Sequence, residues 1–174
     1  MIEFVNNFFK QDEIYHINEY IEKTKDKLEW KSSFSWNDNI KWGVDSRTLV
    51  RKAPGFVRQR IINHFNFKDD SDLFCMIHLW FPGAHIAWHN DGMYDVAGTI
   101  YLNEDWHPNL GGLFLYSEGF NKVEQRPIGE IKAFVPKFNT LNINRGNNGH
   151  AVTSTIVTAP LRKTVQFFHR KQND

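Results

Sequence analysis

The stretch WFPGAHIAWHND, residues 80–91, combines a turn signal with two residues that could bind a metal ion. Phe-Pro-Gly is typical of a turn, and the residues after it are typical of a strand. His89 and Asp91 lie two positions apart, so on a strand their side chains point to the same face. Alone, such a pair is more often a polar strand edge than a metal site. A metal site needs a further ligand from elsewhere in the chain.

His150 is the best candidate for that ligand, because it follows a glycine-rich turn in RGNNGHAV, residues 145–152. Two histidines and one carboxylate, with coordination positions left open, are typical of non-haem Fe(II) oxygenases. Such an iron works with a reducing co-substrate, and a dicarboxylate bound to it at one end needs a cation at the other. Arg162, at the start of RKTVQFFHR, offers two N–H groups to a carboxylate. Thr164 lies on the same strand face and could donate its hydroxyl to the same group.

The composition indicates a single globular domain. The 174 residues suit one domain with a sizeable core, and an aromatic content of 15% favours a β-rich core. The net charge of +1 gives no electrostatic case for nucleic acid as an obligatory partner. Cys75 is the only cysteine, so no intrachain disulfide can form, which fits a reducing compartment.

The sequence shows no pattern for export or membrane insertion. Residues 1–16 lack the basic and long apolar regions of a secretory signal, and no apolar stretch reaches the length of a membrane span. We therefore expect a cytoplasmic protein with no membrane partner.

Helical spacing precedes strand-like segments along the chain. Ile14, Ile17 and Ile21 recur at helical intervals and predict a helix over 11–28, and residues 56–66 predict a second helix. Residues 31–55 are polar, aromatic and irregular, which is typical of a segment that covers a site, such as a substrate lid.

From residue 73 onward, short apolar segments alternate with turn signals. They predict eight strands: Leu73–Phe81, Ile86–Asp91, Val96–Asn103, Gly112–Tyr116, Ile131–Pro136, Thr140–Asn144, His150–Val152 and Arg162–His169. Helices followed by about eight short strands favour a mainly β fold, a double-sheet barrel or jelly roll.

Five pieces of the chain, in this order, resemble the 2-oxoglutarate/Fe(II) dioxygenases, in particular their prolyl 4-hydroxylase-like branch. WFPGAHIAWHND resembles their turn and His-x-Asp pair, GTIYLNEDW their next strand, and NLGGLFLYSEG their Gly-Gly strand. PKFNTLNINRGNNGHAV resembles the strand that leads to the distal histidine, and RKTVQFF the co-substrate strand. The resemblance implies a double-stranded β-helix, the cupin-like jelly roll, over about 73–170. It also implies helical support over about 1–72 within one dioxygenase domain, 1–174.

The resemblance also implies roles for individual residues. His89, Asp91 and His150 would ligate Fe(II), and Arg162 would pair with the C5 carboxylate of 2-oxoglutarate. Tyr101 matches a tyrosine that hydrogen-bonds the same carboxylate. O2 would be the second co-substrate, and ascorbate is a candidate reductant.

Two positions depart from the family's pattern. Trp80 stands where the family usually has a tyrosine that contacts 2-oxoglutarate, and an indole can donate a hydrogen bond but cannot accept one. The interval from His150 to Arg162 is slightly longer than in the relatives, and an extended turn at TIVTAP, residues 155–160, could absorb the extra residues.

Several substrates fit this resemblance. A prolyl residue of a peptide or protein is the first choice, and a free amino acid or other small metabolite is the alternative. A nucleobase is disfavoured by the near-neutral charge. A non-catalytic jelly-roll binding module with a vestigial site is the alternative outside enzymes, and the complete set of ligands and arginine argues against it.

Other polar and sulfur-containing residues have simpler explanations. His78 and Trp80 lie two positions apart on the same predicted strand, and one of the two is expected to face the interior. His78 is not predicted as a ligand. Asn142 and Asn144 could face the site beside the distal strand, but we expect them to make hydrogen bonds in a turn. Cys75 lies in the apolar run LFCMIHLWF and is expected to be a small buried hydrophobe.

Overall fold

The elements of the fold are antiparallel strands and two helices. The computed structural model describes residues 2–27, 31–32, 44–45, 47–68, 72–92, 94–146 and 148–170. Within them, α1 spans Gln11–Thr24 and α2 spans Gly55–Phe65. The strands are β1 Ile2–Asn6, β2 Lys31–Ser32, β3 Val44–Asp45, β4 Thr48–Lys52, β5 Leu73–Trp80, β6 His85–His89, β7 Tyr94–Tyr101, β8 Phe114–Ser117, β9 Gly119–Asn121, β10 Arg126–Ile128, β11 Lys132–Phe134, β12 Thr140–Arg145, β13 Gly149–Val152 and β14 Arg162–Arg170.

Two antiparallel sheets carry the architecture. The large sheet has the order β1-β12-β7-β14-β5-β4-β2, and the small sheet has the order β11-β8-β13-β6-β3. Strands β9 and β10 form a separate two-stranded ribbon. Non-consecutive strands are neighbours in both sheets, so each sheet forms only when distant parts of the chain meet.

The outer face of the large sheet packs against the helices. Val165 and Phe167 alternate along β14 on this face, and Ile14, Ile17 and Ile21 form the apolar stripe of α1 that covers it. Burial of each such side chain contributes about 1.5–3 kcal/mol. This contact between sheet and helices is the main hydrophobic core, and the opposite face of the sheet is left for other side chains.

Cys75 belongs to the same core. Burial raises the pKa of its thiol to about 12, so the group stays protonated at neutral pH. The expectation of a buried, unreactive cysteine agrees with this environment.

The expected fold class agrees with the structure at a coarse level. A mainly β fold with two helices is confirmed, and each of the eight expected strands is present with its ends shifted by up to two residues. The first helix ends at Thr24 rather than at residue 28, because residues 25–27 turn away. The expected strand Ile86–Asp91 ends at His89, so Asp91 follows the strand rather than belonging to it.

The N-terminal part of the chain contributes more strands than expected. β1 pairs with β12 at one edge of the large sheet, and β4 pairs with β5 near the other edge. Much of the expected lid over 31–55 lies outside the described residues, but Thr48–Lys52 in that range is a sheet strand. No helix among the described residues is long and apolar enough to cross a membrane.

Candidate metal centre

Three side chains from neighbouring strands meet at one point between the sheets. β6 and β13 are paired so that His89 and His150 are register partners, and Asp91 follows β6 by two residues. The Nε2 atom of His150 lies 3.3 Å from Oδ2 of Asp91, and the Nε2 atom of His89 lies 4.0 Å from Oδ1. All candidate ligand atoms of the three residues lie within 4.8 Å of one another. Two nitrogens and one carboxylate at this spacing can bind one metal ion.

Hydrogen bonds outside the triad orient its ligands. Nδ1 of His89 lies 2.8 Å from the carbonyl oxygen of Ala87, which places the proton on Nδ1 and the lone pair on Nε2. Nδ2 of Asn144 donates to Oδ2 of Asp91 over 3.3 Å. Nδ2 of Asn148 donates in turn to Oδ1 of Asn144 over 3.1 Å, which fixes the direction of the Asn144 amide.

Burial keeps His89 in the form that binds metals. Desolvation lowers the pKa of His89 to about 4, and the nearby His150 lowers it further against the opposing effect of Asp91. The imidazole is therefore neutral at pH 7, and neutral imidazole is the ligating form.

A cavity of about 390 Å³ joins the triad to the predicted co-substrate residues. His89, Asp91 and His150 line it together with Arg162 and Tyr101. Trp80 also lines this cavity. Residues that are distant in sequence thus line one cavity, and both sheets contribute to its walls.

Arg162 is a buried guanidinium inside a cage of aromatic rings. It is 3% exposed, and its Cζ lies 5.5 Å from the ring centre of Trp80, 5.3 Å from that of Tyr101 and 5.8 Å from that of Trp106. Among the described residues, its Nε and Nη1 atoms have no hydrogen-bond partner. An unpaired buried charge costs several kcal/mol, on the order of 3–5. The cage therefore fits an anionic group that accepts two hydrogen bonds, as a carboxylate does.

Gly112 makes room for that guanidinium. Its φ of +65° favours glycine, and a Cβ atom at this position would lie 2.8 Å from Nη1 of Arg162. The second glycine of the NLGGLF stretch therefore has a steric reason, which is the close approach of the backbone to Arg162.

Tyr101 and Thr164 make different contacts. Burial raises the pKa of Tyr101, against the opposing effects of the nearby Arg162 and Asn142 side chains. The hydroxyl oxygen of Thr164 accepts a hydrogen bond of 3.0 Å from Nε1 of Trp80. Thr164 is fully buried and is not among the residues that line the cavity. The indole N–H of Trp80 thus points to Thr164 rather than to the cavity.

Sequence reasoning found only part of the polar wall of the cavity. Asn142 and Asn144 lie in β12, as the expected strand Thr140–Asn144 implied, and they line the cavity, although hydrogen bonding in a turn was the favoured role. Thr99 and Gln166 also line it and were not predicted. Their alternation along the strands was the signal that could have revealed them. His78 and Trp80 both face the cavity, although only one was expected to do so, and burial lowers the pKa of His78 to about 3.

Comparison of the sequence with protein-family models and with curated proteins finds no match. Comparison of the fold with solved structures finds clear similarity. A prolyl-4-hydroxylase from Pseudomonas putida has a TM-score of 0.70 and 17% identity, over 99% of this chain and 93% of that one. A prolyl hydroxylase from Trichoplax adhaerens, in complex with a peptide fragment of a hypoxia inducible factor, has a TM-score of 0.73 and 13% identity, over 97% and 83%.

HygX from Streptomyces hygroscopicus, solved with nickel and 2-oxoglutarate bound, has a TM-score of 0.66 and 12% identity, over 98% of this chain and 83% of that one. These similarities show that the chain has the fold of the 2-oxoglutarate/Fe(II) oxygenases. The expected resemblance to their prolyl hydroxylase-like branch is confirmed at the level of the fold.

Proposed function

We propose that this chain, which has the fold of the 2-oxoglutarate/Fe(II) oxygenases, is such an oxygenase and hydroxylates a C–H bond. The observation that carries the proposal is the shared cavity. The His-Asp-His triad lines the same cavity as a buried arginine whose Nε and Nη1 atoms have no partner among the described residues. The two sheets would then be the halves of a double-stranded β-helix.

Iron and 2-oxoglutarate, when bound, supply the oxidising chemistry, in which 2-oxoglutarate, O2 and a substrate C–H bond give succinate, CO2 and a C–OH group. Nε2 of His89 and of His150 and a carboxylate oxygen of Asp91 would hold Fe(II). Ascorbate, as a reductant that keeps the iron divalent, belongs to the same proposal.

Arg162 would bind the far carboxylate of 2-oxoglutarate through the N–H groups of its guanidinium. Tyr101 would donate its hydroxyl to the same carboxylate. Trp80 would contribute a ring that packs beside this group and excludes water, because its N–H already donates to Thr164. Exclusion of water strengthens the charge-assisted hydrogen bonds of Arg162. Thr164 would act on the co-substrate through Trp80, rather than by direct contact.

The first choice of substrate is a prolyl residue of a peptide or protein. It is supported by two neighbours of this fold that are prolyl hydroxylases, one of them solved with a peptide. A free amino acid or other small metabolite is the second candidate, since a cavity of about 390 Å³ is large enough for a small molecule. A nucleobase and a vestigial binding module have no observation in their favour.

The test combines metal binding with product formation. We expect the wild-type protein to bind Fe(II) and to form succinate from 2-oxoglutarate, with substrate or slowly without it. His89→Ala should lose both properties, while His16→Ala, which changes an exposed histidine on α1, should keep both. If His89→Ala kept iron and turnover, the proposed site would be wrong. Mass spectrometry for the gain of one oxygen atom, across proline peptides, free amino acids and oligonucleotides, would identify the substrate.

A further inference from the structure

A row of uncharged polar side chains crosses the large sheet between Arg162 and the rim of the cavity. Gln166 of β14 is the register partner of Thr99 in β7, and Thr99 is the partner of Asn142 in β12. All three side chains line the cavity. The row therefore faces whatever enters the cavity beside the candidate triad.

Gln166 is a largely buried residue that lines the cavity. Its residue surface is 6% exposed, and its carboxamide makes no hydrogen bond to any residue that the structure describes. The buried Oδ1 atom of Asn142 also has no hydrogen-bond partner within the described part of the chain. Buried amide groups in folded proteins are hydrogen-bonded in the large majority of cases. A ligand in the cavity can supply matching donors and acceptors to both groups.

Gln166 lies on β14, one strand further from β12 than Tyr101 of β7. Asn144 in β12 contacts Asp91, so the triad lies over the β7–β12 side of the large sheet. Gln166 is on the other side, with Met76 of β5 as its register partner. The same side of the cavity is also lined by Val50, Phe74 and Phe168. None of these residues is assigned to the proposed iron or 2-oxoglutarate sites.

The cavity-lining neighbours of Gln166 that the structure describes offer hydrogen bonds and aromatic rings but no charge. Among the described residues that line the cavity, only Asp91 and Arg162 carry a fixed formal charge at neutral pH. The proposed function assigns Asp91 to the metal and Arg162 to the dicarboxylate. A substrate carboxylate or ammonium beside Gln166 would be buried without a counter-charge, which is strongly unfavourable. The next cation along β14 is Arg170, which is exposed and lies over the ring of Phe74 at the rim.

We infer that Gln166 is a specificity-determining residue that binds an amide group of the substrate. A carboxamide carries a donor and an acceptor side by side, so it matches the N–H and C=O of another amide. Tyr94 and Phe168, whose ring centres are 5.0 Å apart, would pack against the apolar part of the substrate. The substrate class is thus an uncharged, amide-bearing segment such as a peptide, and not a zwitterionic free amino acid. The inference rests on the proposed function and narrows its substrate.

The test measures binding without turnover. The full chain is loaded with Mn(II) and 2-oxoglutarate, and calorimetry then measures the binding of N-acetylated, C-amidated tripeptides with one varied central residue. The corresponding free amino acids are the matched probes. We expect at least one capped tripeptide to bind and the free amino acids to bind far more weakly. Equal or tighter binding of the free amino acids would overturn the inference, as would failure of every capped tripeptide to bind.

Variants then test the residue itself. Gln166→Leu should weaken tripeptide binding roughly tenfold to a hundredfold, because both hydrogen bonds are lost, and should leave the affinity for 2-oxoglutarate unchanged. Gln166→Glu should also weaken it, because a carboxylate accepts hydrogen bonds but cannot donate. Gln59→Leu, which changes an exposed glutamine on α2, should alter neither affinity. Thermal unfolding checks that each variant is folded.

Two results separate failure of this inference from failure of the proposed function. If Gln166→Leu weakened 2-oxoglutarate and left the tripeptide unaffected, Gln166 would serve the co-substrate and the inference would be wrong. If the wild-type protein bound neither Fe(II) nor 2-oxoglutarate, the proposed function itself would be wrong and the inference would fall with it.

Discussion

Asn144 donates a hydrogen bond of 3.3 Å from Nδ2 to Oδ2 of Asp91, a residue 53 positions away in sequence. The same Nδ2 atom lies 3.2 Å from Nδ1 of His150. The side-chain amide of Asn144, in the large sheet, therefore contacts two members of the candidate triad. His150 belongs to the small sheet, and Asp91 follows its strand β6. Groups in this position orient metal ligands and are needed for tight binding.

We expect Asn144→Ala to bind Fe(II) roughly tenfold to a hundredfold more weakly than the wild type, because Asp91 loses its orienting donor. Titration with Fe(II) under anaerobic conditions, followed by calorimetry, measures the change. Asn109→Ala is the matched control, since Asn109 is exposed and lies on the 3-10 helix Pro108–Leu110. An unchanged affinity in Asn144→Ala would show that Asp91 is held by other contacts.

Arg162→Met should change stability and co-substrate binding in opposite directions. Removal of a buried, incompletely paired cation should leave the ligand-free protein as stable as the wild type or more stable. The affinity for 2-oxoglutarate should fall by roughly a hundredfold or more, because a buried charge-assisted pair contributes about 2–5 kcal/mol. Thermal unfolding with and without 2-oxoglutarate measures both effects. Arg126→Met, at an exposed arginine, is the control, and equal stabilisation of Arg162→Met by 2-oxoglutarate would contradict the assigned role.

The fold could largely be predicted because its strands have strong local signals. β5, β7 and β14 are long apolar segments with turn residues at their ends, and each was predicted. β1 was not predicted, because its five residues precede a helix and are stabilised by pairing with β12, some 138 residues later in the case of Phe4 and Asn142. Such a strand depends on tertiary contacts that a local pattern does not contain.

The candidate site could be predicted only in part, because some of its residues are brought to it by tertiary packing. The triad and Arg162 are residue types whose chemistry is specific, so their presence in order suggested a common site. Asn142 and Asn144 lie in the expected strand Thr140–Asn144, but hydrogen bonding in a turn was the favoured role because asparagine favours turns, and both are buried in β12. A polar residue on a strand faces a cavity only if a second sheet covers that face of its own sheet. In this protein the covering sheet contains β6 and β13, and its packing over the large sheet is a tertiary contact.

Trp80→Phe tests how the departure from the family's pattern affects the co-substrate. The change removes the hydrogen bond from Nε1 of Trp80 to Thr164 and keeps an aromatic ring in the cage of Arg162. We expect a loss of about 1 kcal/mol in the free energy of unfolding. The KM for 2-oxoglutarate should change little, because the indole N–H is already engaged by Thr164. A large rise in that KM would mean that the indole N–H binds the co-substrate directly.

Gly98→Ala should destabilise the fold at the contact between the large sheet and the helices. A Cβ atom at Gly98 would lie 2.4 Å from Cε1 of Phe167 and 3.0 Å from Cδ1 of Leu141, both in the buried core. Overpacking of this kind costs about 1–3 kcal/mol. Gly55→Ala is the control, because no atom lies within 4 Å of a Cβ atom there. Urea unfolding measures both variants, and equal stability of the two would contradict the tight packing at Gly98.

His78 should make the fold sensitive to acid. Burial lowers the pKa of His78 from an ordinary value of 6.5 to about 3, so the folded protein keeps this imidazole neutral where the unfolded chain protonates it. Between these two values the unfolded state binds more protons, so the free energy of unfolding falls as the pH falls from 6.5 toward 3. The contribution of one such group to the slope is at most about 1.4 kcal/mol per pH unit.

His78→Gln should therefore have a shallower dependence of unfolding free energy on pH than the wild type between pH values of about 6 and 4. His89, whose pKa is also lowered by burial, is present in both proteins, so the difference between their slopes isolates His78. Urea unfolding at a series of pH values measures the two slopes. His16→Gln removes an exposed histidine of α1 and should keep the wild-type slope. Parallel curves for wild type and His78→Gln would mean that His78 takes up its proton in the folded protein as readily as in the unfolded chain.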